Sequence, residues 1–298
     1  MKRQEVASFY KDLSSYAGKT VTVCGWARSI RDSKTLGFID LNDGTSFKGV
    51  QIVFEDGKID NFKEIASQNV GAALRVTGTL LATPEAKQPF EIHASEIVVE
   101  GASTPDYPLQ KKRHSLEYLR TIAHLRPRTN TFTAVFRVRS VLTYAVHRFL
   151  QENGFVYIAT PCITTSDCEG AGEVFRISSM DVENPPRKED GHVDFFGKEA
   201  FMTVSGQLNV EPFCWGFRKV YTFGPCFRAE NSNTPRHAAE FWQVEPEMAF
   251  ADLNELMDTI EALSKYVIRY VLEHCPDELA FFDQFMEKGL LEKLHHTV

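Results

Sequence analysis

Apolar and polar residues alternate one for one through Val21-Thr-Val-Cys-Gly-Trp26, which is the period of a strand with one buried face. Leu36–Leu41 and Gly49–Phe54 carry the same signal, and Asn42-Asp43-Gly44 between them is a turn sequence. A short helical piece is predicted near Gly57–Asn69. Two further strands follow at Ala73–Leu80 and Phe90–Val99.

Three strands, a helix and two strands is the order of an OB-fold barrel, whose open face often takes single-stranded nucleic acid. A small barrel without a ligand fits the same pattern. Residues 1–100 are therefore one β-rich domain. The prolines, small residues and charges of Glu100–Ser115 predict a linker, and 101–130 is assigned as a hinge. Beyond it the period changes. Val135, Val138, Leu142, Ala145 and Phe149 recur every three or four residues, predicting a helix over Thr131–Asn153 that Gly154 stops. The run "FVYIATPCI" is extended. A second helix is predicted over Leu253–His274, ended by Pro276. Strands among helices make 131–298 an α+β domain, interrupted by the polar insert Asp181–His192.

Charge changes this picture locally. The chain is −7 overall, yet Lys111–Arg148 holds nine Lys or Arg against one acid, Glu117. Such a stretch can supply phosphate contacts whatever the total charge, and a solvated helix face is the competing explanation. The six cysteines are scattered with no C-x-x-C pair, which fits reduced thiols and a cytoplasmic protein and argues against a cysteine zinc site. No apolar run is long enough to span a membrane.

The chemistry concentrates in Phe227–Phe250, "FRAENSNTPRHAAEFWQVEPEMAF". Two strand-like runs flank a polar loop. Alternate residues share a face, so Tyr221, Phe223, Pro225 and Phe227 oppose Thr222, Gly224, Cys226, Arg228 and Glu230. On the return run Trp242, Val244, Pro246 and Met248 oppose Phe241, Gln243, Glu245 and Glu247. Paired as a hairpin, one face is an apolar layer and the other combines small residues with Arg, Glu, Gln and a ring. That face suits a small charged ligand. Arg228 can hold a phosphate or carboxylate bidentately, Glu230 and Gln243 can bond amino or amide groups, and Phe241 offers a surface to a planar ring. Arg236 and His237 in the loop can reach further anionic oxygens. A wet or salt-bridged sheet face with no ligand has the same pattern.

This stretch resembles motif 2 of the class II aminoacyl-tRNA synthetases, in the form of the asparaginyl-tRNA synthetases. "ENGFVYIATP", ending at Pro161, resembles motif 1, which implies a homodimer. "TTSDCEGAGEVF" (Thr164–Phe175) resembles the mobile loop over the amino acid, and "VSGQLNVE" (Val204–Glu211) the amino-acid-binding segment. The resemblance implies activation of L-asparagine with ATP and Mg²⁺ to an adenylate, then transfer to tRNA(Asn). It implies that Arg228 bridges the carboxylate and α-phosphate, that Glu230 faces the adenine amino group, that Phe241 stacks on adenine, and that His237 approaches the γ-phosphate. Gln207 and Glu169 match positions that hold the α-ammonium. Glu245 matches the carboxylate that accepts from the asparagine amide and repels aspartate. Aspartyl enzymes carry a lysine three positions after the glutamine, where this chain has Val210. In the barrel, Phe38 matches the ring that stacks on the middle anticodon base, with Arg28 and Gln51 as candidate contacts to that base.

The glycine-rich motif 3, its arginine and the acidic Mg²⁺ ligands of the family are missing from the sequence, which stops at "LLEKLHHTV". The expectation is the N-terminal portion of a synthetase, an OB-fold barrel followed by an incomplete antiparallel-sheet catalytic domain. The alternatives are a non-catalytic tRNA-binding relative and an amidating enzyme on the same scaffold, to which Glu245 and Val210 are poorly suited.

Overall fold

The computed structural model describes residues 2–168, 170, 173–181, 183, 194–232, 234 and 236–298. They divide into two compact units, 1–139 with 275–293, and 140–274 with 294–298.

The first unit is built on a closed barrel. Helix α1 (Val6–Lys11) precedes strands β1 (Thr20–Ser33), β2 (Leu36–Asn42) and β3 (Val50–Glu55), helix α2 (Phe62–Ala66), and strands β4 (Ala73–Ala82) and β5 (Phe90–Gly101), joined in the order β1-β2-β3-β5-β4. The alternating residues Ile39, Leu41, Ile52, Phe54, Leu74, Val76, Leu80 and Ile92 are at most 1% exposed and fill the interior. Each contributes roughly 1.5–3 kcal/mol by leaving water. Gly44, at φ 81°, makes the turn after β2.

Two elements differ from the sequence reading. β1 runs to Ser33, well past Trp26, because a bulge between Ala27 and Ser29 breaks the alternation of an otherwise continuous strand. The helix expected over Gly57–Asn69 is only the five residues of α2, anchored by the buried Phe62 and Ile65.

After the barrel come α3 (Leu116–Thr121), capped by Ser115 Oγ, which accepts from the Tyr118 N–H, and α4 (Asn130–Glu152). Within this unit the Arg128 guanidinium lies over the rings of Trp26 and Tyr107, 5.7 and 5.8 Å from their centres. These contacts fix part of the segment expected to be a linker.

The second unit carries β6 (Val156–Tyr157), β7 (Ile163–Thr164), β8 (Arg176–Ile177), β9 (Ala200–Met202), the short helices α5 (Gln207–Val210) and α6 (Cys214–Phe217), and strands β10 (Lys219–Phe227) and β11 (Glu240–Met248). β10 pairs antiparallel with β11 and parallel with β6, while β7, β9 and β8 form a separate small sheet. Within "FVYIATPCI" only Val156–Tyr157 and the last residue, Ile163, are therefore in strands. Helix α7 (Leu253–His274) has the predicted bounds. Val146, Leu150, Phe155, Tyr221 and Phe223 form the core, with Phe149, Val244, Met248 and Val267 against them. One polar group enters it. The Tyr221 hydroxyl meets His147 Nδ1 at 2.7 Å and accepts from Gln151 Nε2 at 3.2 Å, which satisfies a buried phenol. Pro276 both ends α7 and opens α8 (Pro276–Phe285), where its missing N–H costs nothing. Helix α9 (Leu290–Thr297) completes the described chain.

Candidate active site

The register of β10 and β11 sets Thr222 opposite Glu245, Gly224 opposite Gln243 and Cys226 opposite Phe241. These six residues share one face. On the other, Tyr221 and Phe223 enter the core. Trp242, expected in that apolar layer, is 47% exposed. It meets Phe223 edge-on with ring centres 5.3 Å apart.

Arg228 lies one residue past β10, where its N–H donates to Ala239 O at 3.0 Å and continues the ladder. Its guanidinium carbon is 5.3 Å from the centre of the Phe241 ring, and Nη2 is 3.5 Å from Val204 O. A cation over an aromatic face contributes about 0.5–2 kcal/mol, depending on desolvation. The contact holds guanidinium and ring together at one end of the face.

Glu245 sits at the other end and is 8% exposed. Ser205 Oγ–H donates to its Oε2, and the Gly206 N–H donates to Oε1 at 3.1 Å. Cys226 Sγ lies 3.9 Å from Oε1, and burial, reinforced by the Glu245 charge, pushes that thiol up to about 11. Burying a carboxylate is costly without donors, and these two offset the cost. They arrive because Thr203 N–H donates to Cys162 O and Phe227 N–H donates to Thr203 O, both at 2.8 Å, which lays the chain after β9 along the end of β10. Gly206 fits only because it lacks a side chain. A Cβ there would stand 2.6 Å from Thr160 Oγ1 and 2.8 Å from Thr222 Cγ2. Tyr157, Thr160, Cys162, Gly206, Thr222 and Glu245 are among the residues lining a small cavity at this end.

The other expected residues fall less tightly. Gln207 opens α5 beside this carboxylate. Its side chain is exposed and donates to Glu211 Oε1 at 2.7 Å. Glu230 and His237 are exposed beyond the strands, with the His237 ring bonded to Thr234 Oγ1. Glu169 lies outside the described residues, as do 184–192 of the polar insert. Glu173, later in the same loop, accepts from the Ala229 N–H at 2.7 Å, so the loop's described end lies beside Arg228. Pro161 is exposed and follows Thr160, whose hydroxyl is 3.0 Å from that of Thr222. Val210 is fully buried and presents no charge. Ser205 falls within Val204–Glu211, and its contact with Glu245 appears only in the fold.

On the barrel, Phe38 and Gln51 line one depression together with Arg31, Asp32 and Ser33. Arg31 is the register partner of Phe38, and Gln51 Nε2 donates to Glu91 at 2.9 Å. Arg28 is not among these lining residues. It sits at the bulge of β1, where Nη1 donates to Asn130 Oδ1. The β1–β2 register, followed back across the turn from Phe38, leads to Arg31.

The residues 115–296 match the family described as tRNA synthetases class II (D, K and N), and 21–100 match the OB-fold nucleic acid binding domain. The chain belongs to the class II tRNA synthetases. Its particular likeness is to the asparaginyl enzymes. It is 60% identical to the asparagine–tRNA ligase of Acetivibrio thermocellus over all of its own length and 65% of that protein, and 59% identical to that of Clostridium perfringens over 98% and 64%. The asparaginyl-tRNA synthetase of Pyrococcus horikoshii, solved with asparaginyl-adenylate, superposes with a TM-score of 0.85 at 26% identity, covering 100% of this chain and 63% of that one. The chain thus spans about 65% of the length of the first of these relatives.

Proposed function

We propose that this protein serves an asparagine–tRNA ligase, activating asparagine with ATP to asparaginyl-adenylate and passing the acyl group to tRNA(Asn). The observation that carries the reading is the β10–β11 face, with the Arg228–Phe241 pair at one end and the clasped Glu245 at the other. In this reading adenine stacks on Phe241 and its amino group meets Glu230. Arg228 bridges the asparagine carboxylate and the α-phosphate, orienting attack and countering charge on the phosphoryl oxygens. His237 approaches the γ-phosphate, and Gln207 with Glu169 holds the α-ammonium. Glu245 accepts from the side-chain amide and would face an aspartate carboxylate with like charge. Phe38, Gln51 and Arg31 take the anticodon by stacking and edge contacts, and Pro161 belongs to the surface that joins two copies. Mg²⁺ would offset phosphate charge. Among the described residues no group of three His, Cys, Asp or Glu is arranged to hold it. Likewise, no described helix is long and apolar enough to cross a membrane.

Asparagine-dependent ATP–pyrophosphate exchange by the full-length protein tests the reading. Arg228→Ala should lower the rate about 10²–10³-fold, the cost of one charge-stabilising donor, with tRNA binding unchanged. Exchange at the parent rate in that variant, or exchange supported equally by aspartate, would overturn it.

A further inference from the structure

Arg28 has no register partner on β2, because it falls at the β1 bulge between Ala27 and Ser29. A bulge residue can aim its side chain outside the strand's regular alternation. The guanidinium is half-buried, and Nη1 donates to Asn130 Oδ1, on the first residue of α4. Burial draws this guanidinium below its ordinary range, and the Asp40 charge opposes that. A second contact lies alongside. The Arg128 guanidinium, two residues before Asn130, covers the rings of Trp26 and Tyr107 and donates from Nη1 to the Tyr107 hydroxyl at 3.1 Å. Tyr107 is seated in turn. A Cβ at Gly71 would stand 2.9 Å from its ring, and the Gly71 N–H donates to Ala27 O at 2.8 Å. Trp26 and Arg28 thus flank the bulge, and each meets a residue of the segment 128–130.

We propose that Arg28 is a positioning residue for the transfer of the acyl group to tRNA, acting through Asn130 on the exit of the chain from the barrel into α4 and not on an anticodon base. This rests on the proposed function, in which the barrel takes the anticodon. Among the described residues between β5 and α4, regular structure is limited to α3 and the 3-10 turn Arg126–Arg128. The direction in which α4 leaves the barrel is therefore not set by continuous secondary structure. Side-chain contacts to β1 set it instead. Arg128 supplies a broad contact, since a cation over a ring tolerates sliding. Arg28 supplies a directional one, a hydrogen bond from a charged donor. The helix that starts at Asn130 runs on past residue 139 into the residues of the second unit, and β1 itself runs on from the bulge to Arg31 at the depression. Adenylate formation needs only small molecules. Transfer needs a tRNA bound through its anticodon to bring its far end into line with the adenylate. A loosened exit therefore impairs the second step and spares the first.

The test is a double-mutant cycle on the full-length protein with three readouts: asparagine-dependent ATP–pyrophosphate exchange, kcat for aminoacylation of tRNA(Asn), and binding of the isolated anticodon stem-loop at fixed salt. Arg28→Ala should lower the aminoacylation kcat about tenfold, within the roughly 10²-fold that a misplacement of about 1 Å can cost. Exchange and stem-loop binding should stay at parent values. Asn130→Ala should do the same, and the double variant should be no worse than either single one, because the two residues form one contact. Asn130→Asp, which still accepts from Arg28, should keep parent turnover. Should Arg28→Ala fail to fold, Arg28→Met, which keeps the aliphatic stem and loses the donors, takes its place. Weaker stem-loop binding by Arg28→Ala would make Arg28 a direct reader of the anticodon, and additive losses or unchanged aminoacylation would remove its link to Asn130. Each of these would overturn the positioning role alone. A parent protein without asparagine-dependent exchange would overturn the proposed function and this inference together.

Discussion

Gly206→Ala tests the packing beneath the site most directly. The backbone at Gly206 has φ −81°, which alanine adopts without strain, so the whole effect is steric. The added methyl would stand 2.6 Å from Thr160 Oγ1 and 2.8 Å from Thr222 Cγ2, about 0.8 and 0.6 Å inside ordinary contact. Neither neighbour is the free end of a long side chain. Both are short, β-branched and stiff, and Thr222 is 2% exposed within the paired strand β10. The turn must therefore move, and overpacking of this kind costs about 1–3 kcal/mol. Because the Gly206 N–H holds Glu245 at 3.1 Å, the same shift loosens the carboxylate. The assay is thermal unfolding followed by tryptophan fluorescence in a Trp26→Phe background, where Trp215 and Trp242, both in the second unit, report alone. Gly206→Ala should lower that unit's Tm by roughly 2–4 °C per kcal/mol. Thr160→Ala, which removes the nearer obstacle, should recover part of the loss. A Tm unchanged by Gly206→Ala, or a double variant less stable than the sum of its parts, would refute the steric account.

Three other outcomes are expected. Phe38→Ala should weaken tRNA binding at fixed salt by about 1–3 kcal/mol, the scale of one stacked base, and Arg31→Ala should weaken it more than Arg28→Ala; a larger effect at Arg28 would contradict the lining of the barrel depression. Tyr221→Phe deprives His147 and Gln151 of a shared partner in the core and should cost about 1–3 kcal/mol in urea unfolding, with no loss if water replaces the hydroxyl. Burial, with Glu211 and Glu245 nearby, raises the Glu247 carboxyl above its usual range. The native state then holds this proton more tightly than the unfolded chain, so the group's contribution is fully present below about pH 4.5 and is lost as pH rises through the folded value. Glu247→Gln should therefore gain stability over the parent above that window and none below it, which paired melts from pH 4 to 8 would detect.

Strands and long helices were legible where burial imposes a period. Every alternating run in residues 21–99 became a barrel strand, and α7 has its predicted bounds because its apolar stripe and Pro276 both act locally. What failed was whatever depends on a partner. The half of β1 beyond Trp26 is polar, carries a bulge and has no apolar alternation, and only its pairing with β2 makes it a strand. The same pairing sets Arg31 opposite Phe38, beside the barrel depression. The bulge puts Ala27 and Ser29 out of simple alternation, so which β1 side chains share a face with Phe38 follows from the register and not from a count along β1.

The same distinction orders the site. Sequence alone could place Glu245 on a face with Phe241 and Gln243, because those residues share one strand and a period of two settles the question. It could not say that the carboxylate is gripped, because Ser205 and Gly206 lie forty and thirty-nine positions away. Yet the grip decides what the carboxylate can do. An exposed glutamate on a wet sheet face reorients freely and discriminates poorly between an amide and an acid, since water screens the like charge. Held at both oxygens and 8% exposed, it meets a ligand in one orientation, with little water between. Under the proposed function an aspartate carboxylate would then meet a poorly screened like charge, while an asparagine amide would meet acceptors already aimed. Under the proposed function, selection would then depend on the turn that holds the glutamate as well as on the glutamate itself.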